Sequence, residues 1–360
     1  MQETDEEVCS SHLPRATYLA RRANRTREKL HPKEPEDLDF MVNLDYVGHD
    51  FLQEDIRIDD QRHLVFATKD QLELLAGAKI WCVDATFKVV RQPFVQLFSI
   101  HCFLRKDGEM KQVPLAFALM SSRRTRDYAQ VFAAVRDCLP GDPKVEEIIA
   151  DFEVAIWNAA KDILPDVSVR GCNFHWTQAV YRKVQEVGLQ TAYQKDDSVH
   201  RWIRKVMALP FLPREHIRPS LKELHTVIPE DGPLRDLFDY VYTTWFNSTV
   251  WKVRSWCVYR RLIRTNNDCE RWHRRFNAHS HDAKLPFYLL VSRLRDEAKI
   301  VVLQAKQVEN GKLSKYQRKQ YRQLQGRVIA IWEDYSASKI SASQLLRRIA
   351  AFSGPAVADS

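Results

Sequence analysis

Between residues 78 and 174 the apolar pattern leaves helical spacing for runs of strand length, and the order of those runs narrows the possible folds most. AKIWCVDATFKVV, PFVQLFSIHCFLR and VPLAFALM are three such runs, punctuated by RQP and by KDGEMKQ, of which KDGE reads as a hairpin turn. A polar loop, SSRRTR, leads into DYAQVFAAVRDCL, where Tyr128, Val131, Phe132, Val135 and Leu139 fall at helical spacing behind Asp127 as cap. VEEIIADF is then a short strand ending in an acid, AIWNAAKDIL a helix and PDVSVRGCNF a further strand, with another helix from about Thr177.

Three strands, helix, strand, helix, strand, helix is the order of an RNase H-like α/β fold, a mixed five-stranded sheet flanked by helices. In that plan the first three strands pair antiparallel and a right-handed crossover lays the fourth beside the first. Asp84, in the first strand, and Asp151, at the end of the fourth, then meet at one edge of the sheet.

Around this core the chain divides by pattern. Residues 1–75 are expected to form a helical lead-in, from a basic stretch ended by prolines (RATYLARRANRTREKLHPKEP) and the apolar FMVNLDYVGHDFL. Residues 76–180 hold the first part of the core, and 181–262 an all-α insertion carried by VHRWIRKVMAL and LRDLFDYVYTTWF. Residues 263–350 resume with RLIRTNNDCERWHRRFNAH and continue as basic helices through KLSKYQRKQYRQLQGRVIAIWEDY, and 351–360 read as a frayed, disordered tail. No internal repeat is visible.

With 45% hydrophobic and 28% charged residues over 360 positions, the chain can bury a sizeable core. No apolar run approaches the roughly 20 residues that span a bilayer, and Met1 precedes an acidic, polar stretch, so an intracellular protein with no membrane partner is expected. Seven cysteines without a CxxC pair make a poor disulfide framework. The net charge of +8 favours a polyanionic partner, nucleic acid first, although a basic soluble protein satisfies it too.

Asp84 lies among apolar neighbours, where an ionised carboxylate suffers unless something positive pairs with it. A plain reading makes it a loop cap, and Asp151 a helix N-cap. Two carboxylates converging at strand ends are also what a pair of Mg²⁺ ions requires, because hard cations take oxygen ligands. Glu270, in TNNDCERWHRRF, is the candidate third acid, with Arg271, Arg274 and Arg275 beside it to meet phosphates; alone, it would read as a solvated helix residue.

VDATFKVV, PFVQLFSIHCFLR, VPLAFALM, DYAQVF, IIADFEVAI, GCNFHWTQAV and TNNDCERWH, in this order, resemble the catalytic domain of Mutator-like (MULE) DNA transposases, close to animal versions often preceded by a FLYWCH zinc finger. The resemblance runs from about residue 21 onward. It implies that Asp84, Asp151 and Glu270 are an acidic triad holding two Mg²⁺ (or Mn²⁺) ions for DDE-type cutting and joining of DNA, with residues 177–264 as a helical insertion. Family members commonly carry Gly after the first Asp, where this chain has Ala85. The resemblance also implies a homo-oligomer on paired DNA ends, and nuclear work if the host is eukaryotic. No finger is recognisable from Cys9 and His12, so end recognition is expected to reside in a segment outside this chain, and the 21–29 basic run is a weak import signal.

Cys172 and His175 in GCNFHW resemble the C/DxxH motif of the same family. With Cys269 and His273 they could make a zinc site, against the plainer reading of buried residues that brace the third acidic helix. Trp176 could stack on an unpaired base, though an aromatic there is more often core. The best DNA-binding bets among the basic clusters are Arg123, Arg124 and Arg126 after the third strand, with Arg271, Arg274 and Arg275. The alternative from another class is an inactive or domesticated descendant that binds DNA or chromatin without cutting it. A nuclease of another RNase H-like family is disfavoured by the long insertion.

Overall fold

The computed structural model describes residues 18, 22, 32–106, 109–265, 267–278, 284–309 and 319–355. Seven strands form one mixed sheet: β1 (Leu52–Ile58), β2 (Gln61–Phe66), β3 (Ile80–Thr86), β4 (Gln96–Lys106), β5 (Glu109–Met120), β6 (Glu147–Ala150) and β7 (Ser168–Gly171), in the order β1-β2-β5-β4-β3-β6-β7. The central hairpin β4/β5 and the β3/β4 pair are antiparallel, whereas β6 lies parallel to β3 and β7 parallel to β6. The crossover that parallel pairing requires is α3 (Thr125–Asp137), which returns the chain from β5 to β6 beside β3.

Two of these strands depart from the expected five and from the all-helical lead-in. Residues 32–76 contain short helices α1 (Leu44–Val47) and α2 (Lys69–Ala76), but between them β1 and β2 make an antiparallel hairpin that widens the sheet beyond β5. The turn rests on Asp59 at φ 50°, a left-handed conformation that a short polar side chain tolerates. β2 is an inner strand covered on both faces, so His63 to Phe66 are all buried and no alternation betrays it. Arg62, 2% exposed, fastens the hairpin to the preceding segment by donating to both Asp55 oxygens and to the carbonyls of Leu38 and Phe40.

Side-chain alternation in β3 sorts two cores. Trp81 and Val83 point into the face covered by α2, α3 and α4 (Val154–Ile163), where they meet Phe132, Val135, Ile156 and Trp157. The opposite face is covered by two later helices, α11 (Asn267–Ala278) and α12 (Phe287–Glu309), whose Trp272, Phe276, Leu290 and Leu294 pack on Leu97, Phe117 and Leu119. Between α5 (Asn173–Glu186) and α11, every regular element among the described residues is helical: α6 (Gln190–Lys195), α7 (Asp197–Ala208), α8 (Arg214–His225), α9 (Pro233–Val241) and α10 (Val253–Trp256), with short 3₁₀ and π turns. These helices share a separate core with α13 (Lys319–Ser336) and α14 (Ala342–Ala350).

Two smaller expectations are corrected. Asp127 is not the cap of α3 but lies inside its first turn, fully buried, where it accepts from the Arg124 backbone N–H and guanidinium. Residues 351–355 are held rather than frayed: Ser353 is buried and Tyr193 donates to the Pro355 carbonyl at 2.9 Å. Residues 356–360, the tip of the KDGE turn, and most of the basic stretches at 14–34 and 312–318 lie outside the described residues.

β7 ends in Gly171, where a Cβ would collide with the Phe152 ring. Phe152 in turn packs on Trp157, Trp245 and Trp251, and directly follows Asp151. Gly171→Ala is expected to cost about 1–3 kcal/mol through forced displacement of that ring, measurable as a lower denaturant midpoint with an unchanged slope.

Candidate functional site

Parallel pairing of β3 and β6 brings the carboxyl ends of both strands to one edge, and four side chains gather there. Asp84 faces α11, 6% exposed; its Oδ1 accepts from the Ala85 N–H, and its Oδ2 is buried with no hydrogen-bond partner among the described residues. Asp151 follows β6 directly, its Oδ1 accepting from Phe152 N–H and its side chain 48% exposed. His175 arrives on the first turn of α5, and Glu270 on the first turn of α11.

His175 is the centre of the group. Its Nε2 donates to Glu270 Oε1 at 3.0 Å, and its Nδ1 lies 3.8 Å from Asp151 Oδ1. One ligand atom each from Asp84, His175 and Glu270 lie within 4.8 Å of one another, the one such metal-sized group among the described residues. Asp151 stands on the far side of the imidazole, outside that group.

The electrostatics follow from crowding acids in a partly dry place. Burial, with the nearby charges of Glu270 and Asp151, pushes Asp84 up to about 7 against the opposing pull of His175. Burial alone would lower His175, but its contacts with Cys172 and Glu270 and the charge of Asp151 outweigh that and hold it at about 11. The hydrogen bond from His175 is the main reason Glu270 stays below the usual glutamate range, helped by the charge of Arg274. The site thus carries its own cation.

The helix bearing Glu270 is fixed by a small polar network. Ser99 Oγ lies 2.9 Å from His101 Nε2 and 3.1 Å from His273 Nε2, and donates to the Asp84 carbonyl at 3.4 Å. Burial drives His273 down to about 4, so it is a neutral strut between α11 and β4. Cys172 and Cys269 pack with Cys82, Ile149 and Ile263 in an apolar cluster. Cys172, His175, Cys269 and His273 therefore do not close into the four-ligand zinc arrangement.

Other expected contacts are redistributed. Trp176 is fully buried, stacked on Trp256 at 4.7 Å with its indole N–H donated to the Met207 carbonyl, so it has no face for a base. Arg124 is paired with Asp127 and Arg126 with Asp59. Arg275 is paired with Glu297, and Arg271 with Asp268 at 3.1 Å. Arg274 is exposed within range of Glu270, and Arg123 is exposed at the same sheet edge. The role of His175 was signalled only by the CxxH spacing, which puts a helix start between the cysteine facing the apolar cluster and the histidine facing the acids.

The fold and site define an α/β protein with an acid cluster, sized for a divalent cation, at the carboxyl edge of its sheet. Residues 80–179, from β3 into α5, match the family model of the MULE transposase domain. Asp84, Asp151, Cys172 and His175 fall inside the matched segment, and Glu270 outside it. No curated protein matches the chain.

Because Asp84 has its pKa raised on folding, its contribution to stability is complete below the unfolded value near 4 and is lost as pH rises toward 7. With a chelator present, Asp84→Asn is therefore expected to stabilise the chain at pH 8, by on the order of 2–4 kcal/mol, and to have little effect at pH 4. Thermal melts of both proteins across that range test this; a mutant that is no more stable at pH 8 would mean that Asp84 is not strained.

Proposed function

We propose that this chain is a DDE-type transposase, or the catalytic core of one, that cuts and joins DNA on an RNase H-like scaffold with Asp84, Asp151 and Glu270 as its acidic triad. The observation that carries the reading is the buried, partnerless Asp84 Oδ2 beside Glu270 at the strand edge inside the MULE transposase domain. A buried carboxylate oxygen without a donor is costly, and a cation removes that cost.

The donor set fits a divalent ion, with Asp84 and Glu270 offering oxygens, His175 within the same reach, and Asp151 next to the imidazole. Oxygen ligands suit Mg²⁺ or Mn²⁺, and His175, protonated and bonded to Glu270, would stand beside the ion rather than ligate it. Bound ions, two in this reading, would supply Lewis acidity to the scissile phosphate and a more acidic water or 3′-OH. The chain's own residues do the rest. Asp84, its proton released to solvent, and Glu270 would hold the ion, His175 keeps Glu270 oriented and offsets the acids' repulsion, and Arg274 offers an exposed charge to an approaching phosphate. Assembly as a homo-oligomer on paired DNA ends, and work in the nucleus of a eukaryotic host, belong to the same proposal. No helix among the described residues is long and apolar enough to cross a membrane.

One observation favours a second reading, a descendant that binds DNA without cutting it: His175 already pairs with Glu270 and faces Asp151, which offsets part of the acids' charge without an ion. Nicking of supercoiled plasmid in Mn²⁺ separates the two. The enzyme reading expects activity that falls about a hundredfold or more in Asp151→Asn, with plasmid binding retained. Wild-type protein that binds plasmid but never nicks it supports the second reading.

Arg274→Glu, which breaks no ion pair among the described residues, is expected to weaken duplex binding and to reduce the salt slope by about one or more. An unchanged slope removes this face of α11 from the DNA path.

A further inference from the structure

The acid cluster leaves open how a DNA strand is aligned over it, and Trp176 cannot take part. An exposed aromatic stands elsewhere on the same edge. Phe87 follows the last residue of β3 and is 46% exposed, between buried Thr86 and the fully buried Val89. It lies three positions after Asp84, at most about 10 Å of extended chain, which is about three base steps of a DNA strand.

The ring is presented rather than loose. Val89 and Val90 anchor the loop in the core under α12, and the Val89 carbonyl accepts from Leu285 N–H at 2.9 Å. The Arg123 guanidinium lies over the ring, 5.0 Å from its centroid. Lys88, Arg91 and Arg123 are all exposed, and none is in a salt bridge among the described residues, although Arg123 lies within electrostatic range of Glu153. Arg124 and Arg126, by contrast, are neutralised by their carboxylates. An exposed aromatic ring with a guanidinium against it, and two further exposed cations on its own loop, is the chemistry that binds unpaired nucleotides, the base on the ring and the phosphates on the charges.

We propose that Phe87, Arg123, Lys88 and Arg91 form a stacking platform for an unpaired base of the DNA strand whose backbone runs over Asp84, Asp151 and Glu270. This deepens the proposed function and rests on it for the path of the strand. It assigns Phe87 to substrate binding, with no role in the chemical step.

The test uses the full chain in chelator, so that no cutting occurs, and a single-stranded 15-mer carrying one 2-aminopurine, with a duplex of the same length as control. Wild-type protein should bind the single strand and change its 2-aminopurine fluorescence. Phe87→Ala should weaken single-strand binding by roughly tenfold or more and abolish the fluorescence change, Phe87→Trp should restore both, and duplex binding should move little. Melting curves check that both variants fold. Equal single-strand affinity in wild type and Phe87→Ala overturns the platform, as does an equal loss on single strand and duplex. Absence of plasmid nicking by wild-type protein, with Phe87-dependent single-strand binding intact, would leave the platform standing and sink the enzyme reading alone.

Discussion

A carboxylate buried beside a second carboxylate is unfavourable unless a cation stands between them, and the edge of this sheet is arranged around that constraint. Asp84 is nearly inaccessible, Glu270 is within metal-ligand reach of it, and the imidazolium of His175 joins Glu270 to the neighbourhood of Asp151. Stability is sacrificed at Asp84 in exchange for a strong internal field, the usual mark of a functional site. His175 limits the cost by serving as an internal counter-ion.

The rest of the fold keeps these groups in register. β3 sends Trp81 and Val83 into one core and Cys82 and Asp84 to the other face, so the burial that locks the strand also aims the acid at α11. α11 is held by Trp272 and Phe276 in the aromatic layer over β4 and β5, and by the hydrogen bonds around Ser99. Glu270 is thereby delivered from a helix far along the chain, after a helical body whose core is its own. Phe152, wedged against the space that Gly171 leaves empty, ties that body to the end of β6 beside Asp151.

Charge is distributed with equal economy. Several arginines that look available in a linear reading are paired, Arg124 with Asp127, Arg126 with Asp59 and Arg275 with Glu297. Those left at the edge, Arg123 and Arg274, flank the acids. Aromatics exchange roles in the same way: Trp176 is consumed by stacking on Trp256, while the less conspicuous Phe87 remains in solvent.

Local pattern by itself determined the five strands from β3 to β7, their connecting helices and the placing of Asp84 and Asp151 at one edge of the sheet, because strand length and the acids' positions at strand ends are written in short stretches of chain. Ordered motifs pointed to the domain that residues 80–179 match. The hairpin β1/β2 was illegible because an inner strand buried on both faces shows no alternation, and its turn lacks the usual Asn-Gly or Asp-Gly signal. Only the tertiary structure decided that His175 sits among the acids, that Cys269 and His273 turn to other partners, and which arginines remain uncommitted. Those outcomes depend on which residues from distant segments arrive at the same place, and burial, pairing and desolvation are properties of that meeting rather than of any stretch of sequence.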